Sequence, residues 1–270
     1  MDMSASPRLP NSETRSIGVA IGSELLLRRL RALADLSPAE IDLILSLNEG
    51  AKSHAPGSLI CPKSDGSPHP RLIASGWACR PRILPDGRRQ MLGVLLPGDL
   101  IGDRGERRPL AMCPAVALTT VRTVSATKLY DALIHHPGVY PNLAAALVRV
   151  GRIEENQLLD HVVRLGCQTA LQRIAHCLME LHSRLTAIGF ISGNTFPMPL
   201  TQETLGDLLG LSLVHVNRIM SQLKREGLVR VRSGVAVVQD FGALALLADR
   251  IDPNAPSEQA RNNVHALRDY

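Results

Sequence analysis

Aromatic residues make up only 3% of the chain, with a single tryptophan, Trp77. So sparse a set disfavours base stacking as a way of holding single-stranded nucleic acid. Cysteine is also thin and scattered: Cys61, Cys79, Cys113, Cys167 and Cys177 form no CxxC pair. An odd number at irregular spacing argues against a disulfide framework, and isolated cysteines read as small buried apolar residues. The adjacent His135 and His136 diverge on a helix, and His176, Cys177 and His182 do not share one helical face, so no metal site is expected. No apolar run approaches the roughly 18 residues needed to span a bilayer. The opening MDMSASPRLPNSETRS lacks the apolar core of a signal peptide, and a cytoplasmic protein is expected. There is no Gly-rich phosphate loop, no GxSxG and no HExxH; Glu154 and Glu155 fall on a solvated helix face. An enzyme is not expected.

What is present suits a globular protein of two modest domains: 270 residues, 45% hydrophobic and 20% charged. A net charge of +5 favours a polyanionic partner without proving one. Residues 1–22 read as a loose leader. A helical patch follows with Leu25, Leu26 and Leu30, then Pro38 to Leu47, where Ser37 can cap a helix opened by Pro38. From about Ser53 to Leu129 short apolar runs are cut by glycine and proline, and Pro85-Asp86-Gly87 reads as a hairpin turn. That pattern is the signature of a β-barrel or sandwich.

Helical periodicity returns at Thr127–His136 and at Pro141–Leu165. Along the second segment Leu143, Leu147, Val150, Leu158, Val162 and Leu165 come close to a heptad seam, interrupted by Gly151 and Glu154. A dimer partner is the expected cover for that stripe, although the chain's own barrel would also serve. A further helix carries Leu171, Ile174, Leu178, Leu181 and Leu185 on one face, and a connector leads to Pro199. The tail beyond residue 245 is polar.

Thr201 to Leu223 carries the chemistry. Leu205, Leu208 and Leu209 form an apolar stripe, and Gly206 is small enough to let a second helix cross close against it. Gly210 supplies the positive φ of a tight inter-helix turn, and Ser212 can cap a second helix with Val216, Ile219 and Leu223 inward. This is the spacing of a helix-turn-helix; an ordinary helical hairpin shares the stripe and the glycine. The reading leaves Leu213, Val214, His215, Asn217 and Arg218 where a recognition helix meets base edges. LVRVRSGVAVVQD then reads as two β-runs turned at Ser233-Gly234, a wing.

Taken together, these features resemble the Crp/Fnr family of bacterial transcription regulators. The resemblance rests on Gly76, Pro85-Asp86-Gly87 and Pro97-Gly98-Asp99-Leu100-Ile101-Gly102-Asp103, and on LTQETLGDLLGLSLVHVNRIMSQLKREGLVRV; it covers residues 25 to 245. VHVNR is a form found in one branch whose members mostly lack an assigned ligand. The implied fold is α+β: a cyclic-nucleotide-binding-like β-roll (23–140), a dimerisation helix (141–165) and a winged helix-turn-helix (166–245), with a polar tail (246–270).

The family's roles fall on matching positions. Arg218 takes the place of the base-contacting arginine, suited to guanine O6/N7. Val214 stands where the family often has a glutamate, so the operator should depart from the best-known consensus. His215 and Asn217 are neighbouring base readers. Thr201, Gln202, Ser212, Lys224, Arg230 and Arg232 are expected at phosphates; Lys224 and Arg225 also read as a solvated helix end beside the dipole. In the sensor, Gly102-Asp103 offers a shorter acid than the ribose-binding Gly-Glu, and the arginine position aligns near Met112-Cys113, which offers no cation. The effector pocket is thus degenerate: neither cyclic nucleotide nor, with no cysteine before Cys61, an iron–sulfur cluster is expected. The implied partners are double-stranded DNA, a second copy, and RNA polymerase if the protein activates; a membrane is not among them. The rival reading is a ligand- or protein-binding module whose winged helix docks on protein.

Overall fold

The computed structural model describes residues 13–60, 70–102, 114–136, 138–191 and 193–248. Helix α1 (Glu13–Arg31) begins within the stretch read as a loose leader. Gly22 explains why this was hidden: glycine weakens a helical pattern, yet here it lets the helix lie directly on the sheet. A Cβ on Gly22 would sit 2.5 Å from the Cα of Ala74. Helix α2 (Pro38–Leu45) starts as expected, with Ser37 as cap and Pro38 in the first turn. Its capping box is reciprocal: the Ser37 amide donates to Glu40 Oε2 at 2.7 Å, and the Glu40 amide donates to Ser37 Oγ at 3.4 Å.

The sensor half is a two-sheet β-roll. Strands β1 (Lys52–His54), β2 (Arg71–Ser75), β3 (Ala78–Ile83), β4 (Arg89–Leu95), β5 (Leu100–Ile101), β6 (Val116–Ala117) and β7 (Val121–Ser125) make a four-stranded sheet ordered β1-β7-β2-β5 and a three-stranded one ordered β4-β3-β6. Every pairing is antiparallel. The expected Pro85-Asp86-Gly87 turn closes the β3–β4 hairpin, with Gly87 at φ 84° and its amide donating to the Leu84 carbonyl. Gly76, at φ 85°, has no substitute, since a Cβ there would lie 2.3 Å from the Thr120 carbonyl oxygen. Between the sheets Ile73, Ala78, Ile101, Ala117 and Val121 form a small core.

Helices α3 (Thr127–His135) and α4 (Pro141–Cys167) return across the four-stranded sheet. Here the expected seam is corrected. Leu143 and Val150 are buried in this chain's own core with Leu30, Ile44, Leu72, Leu100 and Leu129, and Leu147 packs on the same cluster. Leu165 is half-buried and lies beside Gly210. Of the expected set only Leu158 and Val162 stay exposed, joined by Val148, Leu159 and Val163. The helix is apolar on two faces, and the sensor takes one of them.

Helix α5 (Ala170–Ala187) follows a second capping box, Thr169 with Gln172. Strand β8 (Thr195–Pro197), helices α6 (Gln202–Leu209) and α7 (Leu213–Arg225), strands β9 (Val229–Arg232) and β10 (Val235–Val238), and helix α8 (Phe241–Ala248) complete the fold. Helix α8 runs past residue 245, into the stretch read as tail, because Leu244 and Ala248 are buried in the core that α5 helps to build. That core does not stop at the domain boundary: Trp77, Cys79, Met91, Val94 and Leu96 of the β-roll belong to the same cluster as Leu178, Leu181, Leu205 and Leu208.

Glu40 joins the helical layers, its Oε1 accepting the Leu143 amide at 2.8 Å. Burial pushes this carboxyl up, but the hydrogen bonds from Leu143 and Ser37 more than offset it and hold it below its ordinary value. A lowered carboxylate contributes stability above its ordinary range and loses it as pH falls through that range. Glu40→Ala should therefore lower the unfolding free energy by about 2–3 kcal/mol at pH 7. Denaturant melts at pH 7 and near pH 4 check this, and the gap between wild type and variant should narrow at the lower pH.

Candidate nucleic-acid interface

The C-terminal half presents its candidate DNA-facing side chains from locally specified parts, each of them exposed. Thr201 caps α6, accepting the Thr204 amide at 3.1 Å, and Leu205, Leu208 and Leu209 turn inward. Gly210 closes the helix in the left-handed region at φ 64° and ψ 39°. The tight approach at Gly206 comes from the turn more than from the crossing helix. A Cβ there would lie 2.6 Å from the Leu211 carbonyl oxygen and 3.9 Å from Val216 Cγ2. Ser212 then caps α7, accepting the His215 amide at 3.3 Å.

Val216, Ile219 and Leu223 bury the inner face of α7. The outer face is open: Val214 is 78% and Leu213 55% exposed, and His215, Asn217 and Arg218 are exposed beside them. Asn217 Oδ1 accepts from Ser221 Oγ at 3.4 Å, which orients the amide. Thr201, Gln202, Ser212, Lys224, Arg230 and Arg232 are also exposed. Thr201 and Gln202 stand at the start of α6, Ser212 and Lys224 at the two ends of α7, and both arginines on β9 of the wing. The turn at Ser233-Gly234 has both residues at positive φ, 51° and 75°, the pattern of a two-residue type I′ hairpin.

Two supports of this surface lay outside the sequence expectations. Strand β8 adds a third strand to the wing by pairing with β10. Its only signal was the alternation of Phe196, Met198 and Leu200, all of them buried. Helix α8 is announced by Asp240, whose carboxylate accepts the Ala243 amide at 2.9 Å. His182 holds both to α5: its ring meets Phe196 and Phe241 edge-on at 5.6 and 4.7 Å, and its Nε2 lies 2.8 Å from the Gly193 carbonyl oxygen.

In the sensor, Gly102 follows β5 at φ 97°, while Asp103, Met112 and Cys113 lie outside the described residues. The acid that organises this region is Asp99, which sequence reasoning passed over. Buried, it accepts from Arg29 Nη1 at 2.6 Å, from Arg184 Nη2 at 2.9 Å and from the Leu96 amide at 2.7 Å. Nearby, Glu180 pairs with the buried Arg164 and with Arg184. Burial pushes Glu180 up, and the two guanidiniums more than offset it, holding the carboxyl below its ordinary value. Burial also pushes the Cys177 thiol up to about 12 and Cys79 to about 11, which leaves both as inert apolar fillers. Among the described residues no cluster of histidine, cysteine and acidic side chains is placed to hold a metal ion, and no helix is long and apolar enough to cross a membrane.

Comparison with known proteins agrees with this geometry. A model described as the Crp-like helix-turn-helix domain matches residues 172–247. The nitrogen fixation regulation protein FixK of Bradyrhizobium diazoefficiens is 29% identical over 167 residues, 62% of this chain and 68% of that protein. The transcriptional activator protein FnrL of Cereibacter sphaeroides is 28% identical over 197 residues, 72% of this chain and 78% of that one. The solved structure of FixK2 from Bradyrhizobium japonicum superposes with a TM-score of 0.63 at 26% identity, over 75% of this chain and 98% of its own. With a capped helix-turn-helix, a paired wing and a two-sheet β-roll in one chain, this protein carries a Crp-like helix-turn-helix domain and is similar over most of its length to transcription regulators of the Crp/Fnr type.

Proposed function

We propose that the protein is a cytoplasmic, non-enzymatic regulator that binds a near-palindromic DNA operator as a homodimer and responds to a signal received at the β-roll. The division of labour is a sensor over 23–140, a dimerisation helix over 141–165 and a DNA-reading head from 166 onward. The observation that carries the reading is the open outer face of α7, where Val214, His215, Asn217 and Arg218 stand exposed at the first turns of a capped helix. RNA polymerase is the further partner if the output is activation.

The residues divide by chemistry. Arg218 presents a fork of donors suited to guanine O6 and N7, and the exposed Val214 can accept no hydrogen bond but fits against a thymine methyl. Arg230, Arg232 and Lys224, with the amides and hydroxyls at Thr201, Gln202 and Ser212, set register on phosphates. On α4, Val148, Arg152, Glu155, Leu159, Val162 and Gly166 repeat at alternating spacings of four and three on the side away from Leu143 and Val150. A stripe at that spacing, with Val148, Leu159 and Val162 exposed and left uncovered by their own chain, suits a parallel helix from a second copy. The exposed Leu213 and Val214 also favour the second reading, docking of α7 on a protein surface. Salt separates the two, because counterion release makes DNA binding weaken steeply as salt rises.

Three outcomes are expected. Selection from random duplexes should enrich a two-fold symmetric motif with half-sites one helical turn, about 34 Å, apart; an asymmetric motif, or none, would refute the paired-head reading. Arg218→Ala should cost about 1–3 kcal/mol against the selected site and relax preference at a single base pair of each half-site, measured by competition with point-substituted duplexes. Leu159→Asp combined with Val162→Asp should convert the dimer to a folded monomer by sedimentation, whereas Leu143→Asp should instead unfold the sensor.

A further inference from the structure

The tip of the β3–β4 hairpin reaches out of the sensor and touches the first helix of the DNA-reading head. Arg89 Nε donates to Asp207 Oδ2 at 2.9 Å, and Nη2 lies 2.6 Å from that oxygen and 3.3 Å from Glu203 Oε1. The next residue, Gln90, donates from Nε2 to the Leu208 carbonyl at 3.1 Å. Met91 enters the shared apolar core, and its backbone is hydrogen-bonded to the buried His161 of α4. Further along β4, the Val94 carbonyl accepts from Arg184 of α5 at 3.0 Å. One strand of the sensor is thus fastened in succession to α6, α4 and α5.

We infer that Arg89 is a positioning residue for DNA binding, supplied to the reading head by the sensor. Glu203 and Asp207 stand four residues apart on α6, so their like charges oppose each other along the helix. Glu203 follows directly on Thr201 and Gln202, at the end of the helix proposed to meet the phosphate backbone, and Asp207 lies one turn further along. Two bare carboxylates there would repel a polyanion. Arg89 is the cation between them, and it offsets one of their two charges while Gln90 fixes the C-terminal end of the same helix. Its effect on DNA passes through Asp207 and Glu203, not through a phosphate contact of its own. Movement of the hairpin by a signal at the β-roll would withdraw that cation and change affinity without touching α7. The inference rests on the DNA-binding reading given above.

A charge swap on the full-length dimer tests it, with the duplex enriched by the wild-type protein as probe. Arg89 is half-exposed on a hairpin, so its variants should keep the wild-type melting temperature. Arg89→Glu should weaken binding about tenfold or more, and the neutral Arg89→Gln by less. Asp207→Asn, which removes a carboxylate that Arg89 offsets, should bind at least as tightly as wild type and should blunt the loss caused by Arg89→Glu. The double variant Arg89→Glu/Asp207→Arg should return to within about threefold of wild type, because it rebuilds the pair with the signs exchanged. If Asp207→Asn weakens binding as Arg89→Glu does, the carboxylate is not a source of repulsion and the inference falls. It falls equally if Arg89→Glu binds like wild type, or if the double variant fails to recover. Failure of the wild type to enrich any duplex would instead sink the DNA-binding reading itself.

Discussion

The Asp99 carboxylate gathers three segments that have no covalent reason to meet. Arg29 comes from α1, Arg184 from α5 of the reading head, and the Leu96 amide from the turn that leads into β5. A buried carboxylate is tolerable only with its lone pairs satisfied, so each donor is held by the cost of leaving the charge alone. Arg184 continues the connection to Glu180, which pairs in turn with Arg164 near the end of α4. The sensor's outer sheet, the long helix and the reading head are therefore fixed around one charged node. The shared apolar cluster packs beside it, from Trp77 and Met91 to Leu205 and Leu208. A rigid junction of this kind moves by switching between packings, not by bending.

The helix-turn-helix was legible because its determinants are local. Gly210 at positive φ, Ser212 as a cap and the inward spacing of Val216, Ile219 and Leu223 lie within fourteen consecutive residues, 210–223, and need no knowledge of the rest of the chain. The β3–β4 hairpin was legible for the same reason, since its turn chemistry is written in Pro85-Asp86-Gly87. Helix α4 was legible as a helix but not in phase. Apolar residues occupy two of its faces, and periodicity alone does not say which the sensor will bury. Leu143 and Val150 went inward because α1, α2 and the four-stranded sheet met them there.

Tertiary context also concealed what local pattern reads poorly. Gly22 looked like a break and proved to be a contact, because its missing Cβ matters only once Ala74 is alongside. Strand β8 is too short to announce itself and exists through its pairing with β10. The Arg89 bridge joins residues more than a hundred positions apart, on elements whose proximity follows from the shared core. In each case the sequence held the residue but not its neighbour.

The wing carries a consequence for how much operator sequence this protein can distinguish. A two-residue turn at Ser233-Gly234 leaves no loop beyond the ladder, and Arg230 and Arg232, at alternate positions of one strand, point to the same side. So short a tip offers cations to the sugar-phosphate rail but no arm long enough to follow the minor groove. On the proposed DNA-binding reading, and among the described residues, information about the operator would enter chiefly through α7, by a few side chains per half-site. A vocabulary that small would leave the phosphate contacts to carry most of the affinity and only a few base pairs to carry the choice of site.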